Sequence, residues 1–138
     1  QYALGQKHKH LPEMAKICGL ASAPCFSPIV VPHLSGMEVT VLLHASQLRG
    51  DLTDVKDCYA DYYRDNGVVR FEEEFSEDGF LSSAALSGRD DMEVSAWGNA
   101  ERIALVARYD NLGKGASGAA IQNMNIVLGC AETEGLKQ

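Results

Sequence analysis

This 138-residue chain has no C-x-x-C pair, no excess of basic residues and no long apolar run. Its four cysteines, Cys18, Cys25, Cys58 and Cys130, fall at irregular intervals. That spacing argues against a zinc cluster and against a disulfide framework. Isolated thiols with mostly apolar neighbours suit a reducing compartment, so a cytoplasmic location is expected. Twelve Lys and Arg against 19 Asp and Glu give a formal net charge of -7. No basic face is evident to bind a phosphate backbone, which argues against a nucleic-acid partner. No apolar stretch approaches the ~20 residues a membrane span requires, and no signal-peptide pattern is present, so no membrane role is expected. Internal repeats and low-complexity tracts are absent as well.

What is present is the composition of an ordinary globular domain, 46% hydrophobic and 22% charged. The length suits one domain with a real core and is short for two. The chain opens on Gln1 rather than Met and reads as the interior of something longer; it is expected to be a piece of a larger protein.

Along the chain, Gln1 to His10 is expected to be extended. Pro12 and Glu13 then suit the first turn of a helix that stops at Gly19. Cys25–Val31 and the β-branched Met37–His44 read as strands. Thr53 reads as the cap of a helix with Val55, Cys58, Tyr59 and Tyr62 on one face, closed by Asn66-Gly67. Val68–Phe71 reads as a short strand. Met92–Trp97 and Arg102–Tyr109 read as a hairpin around Gly98-Asn99-Ala100-Glu101. A last helix is expected from about Lys114 to Leu128, with Gly129 just beyond. The sum is an α+β fold: a mixed or antiparallel sheet with helices on one face.

Gly113-Lys114-Gly115-Ala116-Ser117-Gly118 spells G-x-G-x-x-G after a strand. A dinucleotide fingerprint needs a strand–turn–helix–strand unit of about 30 residues. Only twenty residues follow Gly118 and no second strand is expected among them, so a self-contained nucleotide-binding domain is not expected here. Two readings stay open. The small residues let a helix pack closely against another layer, or they form a helix tip whose N–H groups lean on a cofactor held by a different domain. For His8 and His10, two apart on an extended segment, a metal pair and a plain solvated basic stretch are the bottom-up alternatives. No metal is assigned.

"DNLGKGASGAAIQNMNIVLG", Asp110 to Gly129, resembles the C-terminal signature of the N-acetyl-γ-glutamyl-phosphate reductase family, which shares its plan with the aspartate-semialdehyde and glyceraldehyde-phosphate dehydrogenases. "KHKHLPEM", Lys7 to Met14, and "FSPIVVPHLSGM", Phe26 to Met37, resemble two further blocks of that family in the same order. The resemblance implies that residues 1–138 form the catalytic, or substrate and dimerisation, domain. Residues 111–138 would then be the helix that returns toward an NADP-binding domain outside this chain.

The same resemblance implies a function: reduction of N-acetyl-glutamyl 5-phosphate to the 5-semialdehyde in arginine biosynthesis, through a cysteine thioester and NADPH. His10 matches the family's catalytic histidine and Glu13 an acidic residue that would orient it. Tyr2 and His8 match neighbouring substrate-site positions. Asn111 matches the residue that reaches the nicotinamide carboxamide, with Gly113, Lys114 and Gly115 bordering the cofactor. No cysteine of this chain matches the family nucleophile, so the nucleophile and the nucleotide loop are expected upstream, and residues 1–138 alone are expected to be inactive. A dimer or tetramer is implied.

Three positions depart from the family pattern. Ser35 stands where an Arg is common, Ile29 where a His is common, and Leu11 where a polar cap is common. The alternatives are a non-catalytic oligomerisation module and a divergent paralogue acting on another acyl phosphate. His33 and His44 have no matching role. Arg89 and Arg102 are possible anion ligands, although the surface is the commoner place for either, and Trp97 is expected to pack in the sheet.

Overall fold

A computed structural model of the protein describes residues 1–74 and 78–138. They form two compact units, Gln1–Pro32 and His33–Gln138.

The first unit holds helix α1, His10–Ile17, whose one buried residue is Leu11. It starts two residues before Pro12, and Gly19 beyond it takes φ +63°. No side chain of the residue before the helix caps it. The ring of His8 takes that part, with Nδ1 accepting from the His10 N–H at 3.2 Å. The N-terminal residues are not extended throughout. Ala3 and Gln6 both adopt left-handed backbone, φ +52° and +54°, and His10 is already helical.

The expected strand over 25–31 does not form. Its backbone groups meet side chains and single amides instead of a second strand. Gln6 grips Phe26 from both sides, Nε2 donating to the Phe26 carbonyl at 2.6 Å and Oε1 accepting its N–H at 2.9 Å. Tyr2 N–H donates to the Pro28 carbonyl at 3.1 Å. Prolines at 24, 28 and 32 offer no N–H, so a continuous ladder is denied to a stretch whose side chains favour one.

The second unit is built on a four-stranded sheet. Its strands are β1 (Met37–His44), β2 (Val69–Phe71), β3 (Met92–Gly98) and β4 (Arg102–Tyr109), in spatial order β1-β4-β3-β2. β1 and β3 run antiparallel to β4, with Met37 and Met92 both opposite Tyr109; β2 runs parallel to β3. The sheet is therefore mixed and the fold α+β, as the residue pattern implied. The hairpin turn is held by Asn99, whose Oδ1 accepts the Glu101 and Arg102 N–H groups at 2.9 and 3.0 Å.

Helix α2, Leu52–Tyr63, packs beside β2 and β3. Asp51, not Thr53, is its cap. The Asp51 carboxylate accepts from the Thr53 and Asp54 N–H groups at 2.8 and 3.0 Å, and Asp54 returns the contact to the Asp51 N–H at 2.8 Å. This is a reciprocal capping box built from two aspartates. Its inner face carries Leu52, Val55, Tyr59 and Tyr63, whereas Cys58 and Tyr62 are exposed. Tyr59 meets Phe71 edge to face, ring centroids 6.2 Å apart.

The opposite face of the sheet carries a row of alternating charge. Glu38, Arg108, Glu93 and Arg70 sit side by side across all four strands. Arg108 donates to Glu93 at 2.9 Å, and Arg70 bonds Glu93, Asp91 and Glu72. Arg89 clasps Asp91 with two bonds of 2.8 and 2.7 Å. Asp91 and Glu93 are buried, which is tolerable because both are paired. The Trp97 indole donates to Ser95 Oγ at 2.8 Å within the sheet.

After β4 the chain makes a wide π turn, Gly113–Ser117, and continues as α3, Gly118–Leu128. Gly129 closes it at φ +70°. Only Gly118 and Asn125 of α3 are buried; Met124, Ile126, Val127 and Leu128 are exposed. No helix among the described residues is long and apolar enough to cross a membrane.

Candidate functional site

In the first unit, three of the four residues singled out there come together. The His8 ring lies between the Tyr2 ring, 5.5 Å away by centroid, and the His10 ring, 4.8 Å away, both edge to face. Phe26 closes a third side at 5.1 Å. Because a backbone N–H can only donate, the His10 N–H fixes His8 Nδ1 as an unprotonated acceptor. His8 is half-buried, whereas His10 is exposed at the start of α1. Glu13 is exposed one turn further on, and among the described residues no hydrogen bond joins it to His10. The aromatic cluster, rather than Glu13, sets the histidine ring.

In the second unit the glycine motif has a different anatomy from the one its spelling suggests. The carboxylate of Asp110, 2% exposed, fills the tip of the turn. Its Oδ1 accepts from the Leu112 and Gly113 N–H groups at 2.7 and 3.2 Å; Oδ2 accepts from Ser35 Oγ at 3.0 Å and from the Gly88 N–H. The Gly115 and Ser117 N–H groups close five-residue loops onto the Asp110 and Leu112 carbonyls at 2.8 and 3.1 Å. Of the two readings of the small-residue tip, the one in which its N–H groups lean on a cofactor meets four that are already engaged: Leu112 and Gly113 by the Asp110 carboxylate, Gly115 and Ser117 by backbone carbonyls. Burial alone would raise the Asp110 pKa. Hydrogen bonds from Gly88, Leu112, Ser35 and Gly113 outweigh burial and hold it below the ordinary value.

The glycines themselves answer to packing. A Cβ on Gly113 would lie 2.2 Å from the Arg89 carbonyl oxygen, and one on Gly118 would lie 2.4 Å from the Asp90 carboxylate. At Gly115 its nearest neighbours would be the Tyr109 ring at 3.1 Å and the Asp110 carbonyl oxygen at 3.3 Å, both looser contacts. Gly113→Ala should therefore cost about 1–3 kcal/mol, since backbone cannot step aside. Gly115→Ala should cost well under half as much. Urea unfolding of the two variants side by side checks the order, and equal losses would contradict it.

Asn111 is exposed, and its Oδ1 accepts the Gly36 N–H at 2.9 Å. Its Nδ2 has no partner among the described residues. Lys114 reaches along α3 to Gln122 Oε1, and Gln122 passes the chain on to Glu132 at 2.6 Å. Burial lowers the Lys114 pKa, partly offset by the Glu132 charge. Arg89 is committed to Asp91, and Arg102 is exposed beside Glu101. His33 lies 3.4 Å from Ser83 Oγ. All four cysteines are exposed and free.

Asp110, Ser35, Ser87 and Gly88 are the members that sequence reasoning missed. An aspartate shortly before a small-residue helix start is an ordinary cap signal, and it points to Asp110, three residues ahead of Gly113. Ser35 stands out in the sequence only as a departure from the family pattern.

A four-stranded mixed sheet flanked by α2, followed by an aspartate-capped turn into a small-residue helix, frames the second unit. Residues 1–111 match the semialdehyde dehydrogenase, dimerisation domain, family, and the chain belongs to that family. Among its relatives, N-acetyl-gamma-glutamyl-phosphate reductase 2 of Nostoc sp. is 40% identical over 144 residues, covering 98% of this chain and 45% of that protein. N-acetyl-gamma-glutamyl-phosphate reductase of Brucella ovis is 40% identical over 134 residues, covering 93% and 43%. The chain thus spans less than half the length of these curated relatives.

Proposed function

We propose that this chain is the catalytic and dimerisation part of an NADP-dependent reductase acting on N-acetyl-glutamyl 5-phosphate in arginine biosynthesis, a cytoplasmic homo-oligomer. The observation that carries the reading is the likeness, at 40% identity over nearly the whole chain, to two proteins named for that reaction. It is supported by an exposed imidazole, His10, held by an aromatic cluster within the block that resembles the family's catalytic segment.

In this reading His10 takes a proton from the thiol nucleophile and later handles the proton of the thiohemiacetal oxygen. None of the four cysteines lies in the first-unit cluster's hydrogen bonds or ring contacts, and the nucleophile is assigned to a part of the protein outside residues 1–138. Tyr2 and His8 shape the space beside His10.

The second unit fits the nicotinamide end of NADP and does not fit its phosphates. The outward Asn111 Nδ2 is a donor suited to a carboxamide, whereas the Leu112 and Gly113 N–H groups are taken by the Asp110 carboxylate and those of Gly115 and Ser117 by backbone carbonyls. The reduced cofactor, NADPH, would supply the hydride when bound. Gly113, Lys114 and Gly115 border it, with the Lys114 amine fixed by Gln122, and the remaining cofactor contacts belong to the nucleotide-binding part.

The test is direct. The full-length protein should oxidise N-acetylglutamate 5-semialdehyde only when both phosphate and NADP are present. Absence of that activity in a folded, NADP-binding protein would favour the divergent paralogue. Absence of NADP binding as well would favour a purely oligomeric module.

A further inference from the structure

Asn111 has two chemically different ends, and the one that faces a ligand decides what the ligand must offer. The Gly36 N–H meets this side chain at 2.9 Å. An N–H has only a proton to give, so the atom it meets is Oδ1, and the outward end is Nδ2, a donor and nothing else. Gly36 is itself fixed. It holds φ +120°, and a Cβ there would lie 2.3 Å from the Ser83 carbonyl oxygen, so no other residue takes its place without moving backbone.

The neighbouring residue is latched too. Ser35, 8% exposed, donates to Asp110 Oδ2 at 3.0 Å and shares a 2.6 Å hydrogen bond with Ser87 Oγ. Through its other oxygen the same carboxylate holds the Leu112 and Gly113 N–H groups. One buried anion therefore ties the 35–36 loop to the turn that begins at Asn111.

We infer that Ser35, Gly36 and Asp110 are positioning residues that fix the polarity of Asn111, so that the site reads a nicotinamide ring through its carbonyl oxygen and ignores its NH2 group. The inference rests on the proposed function, in which Asn111 faces the nicotinamide. It gives Ser35 a task of its own at a position where sequence comparison suggested only a lost cation.

The experiment compares NADP with its 3-acetylpyridine analogue, which keeps the carbonyl oxygen and replaces NH2 by methyl. Binding and KM are measured on the full-length protein. Wild type should treat the two alike within about twofold, because the group removed makes no contact. Asn111→Asp keeps an acceptor for the Gly36 N–H but presents oxygen outward. A nicotinamide can turn its NH2 toward that oxygen and the analogue cannot. The variant should therefore penalise the analogue about tenfold more than NADP, the size of one hydrogen bond.

Ser35→Ala removes the latch to Asp110, loosens the 35–36 loop that presents the Gly36 N–H to Asn111, and should shift the ratio a few-fold in favour of NADP. A purely structural Ser35 would change both nucleotides by the same factor, and that result would strip it of a positioning role. Equal penalties in Asn111→Asp, or a wild type that disfavours the analogue tenfold, would overturn the inference while leaving the functional reading intact. Failure of the wild-type protein to bind either nucleotide would remove both.

Discussion

His10→Ala is expected to lower kcat/KM for the phosphate- and NADP-dependent oxidation of the semialdehyde by about 10²–10⁴-fold, the range for loss of a positioned acid–base group. The geometry supports a large effect for this residue and a smaller one for its neighbour. His10 is exposed on the first turn of α1, and its backbone N–H is tied to His8. Its ring is steadied edge-on by the His8 ring. His8 has Nδ1 engaged as the helix cap and its faces packed by Tyr2 and Phe26. His8→Ala should therefore act by loosening the start of α1, with a loss at the low end of that range or below it. A His10→Ala loss under twofold would remove the catalytic role. His10→Gln, similar in size and able to hydrogen-bond but unable to shuttle a proton at neutral pH, separates proton transfer from packing and should be as impaired as alanine.

The second large effect is on stability. Asp110→Asn should destabilise the fold by about 3–5 kcal/mol, because a buried acceptor of four hydrogen bonds becomes half donor. The asparagine NH2 has to face either the pair from Leu112 and Gly113 or the pair from Ser35 and Gly88. Either choice sets donor against donor in a buried place. The pH dependence follows from the direction of the shift. The folded carboxyl titrates below its ordinary value, so its contribution is fully present above the unfolded value near ~4. It fades as the pH falls through the lower, folded value. Urea midpoints of wild type and Asp110→Asn should thus differ most at neutral pH and converge under acid conditions. A gap that widened toward low pH would contradict the sign.

Much of the sheet was legible because its strands carry their own signal. β1 and β4 run over the residues that the β-branched pattern marked. The strand that failed, 25–31, has apolar side chains but lost its ladder to prolines and to the Gln6 amide, a contact that joins residues far apart in sequence. On α2 the inner face was misassigned by one position. Tyr63 rather than Tyr62 points inward, because the helix starts at Leu52 under an Asp51 cap. The glycine motif was read from its spelling, whereas its meaning depends on what sits in the turn and behind it. The Arg89 carbonyl and the Asp90 carboxylate behind it are brought there only by the fold, whereas Asp110 is within reach of the sequence as a cap signal. The histidine cluster was half legible. The family resemblance named Tyr2, His8 and His10, but only the left-handed residues at 3 and 6, and a Phe26 returned alongside, fold them into one group.

The strand order has a consequence for how the chain is made. Within this sheet β1 comes before β2, β3 and β4 in the sequence, yet its one strand partner among the described residues is β4. During translation Val39, Val41, Leu42 and Leu43 must wait with an open ladder on both sides until the β3–β4 hairpin has emerged to receive them. For that interval the growing polypeptide carries this apolar edge uncovered, and a chaperone or a dilute, slow synthesis protects it where crowding would not.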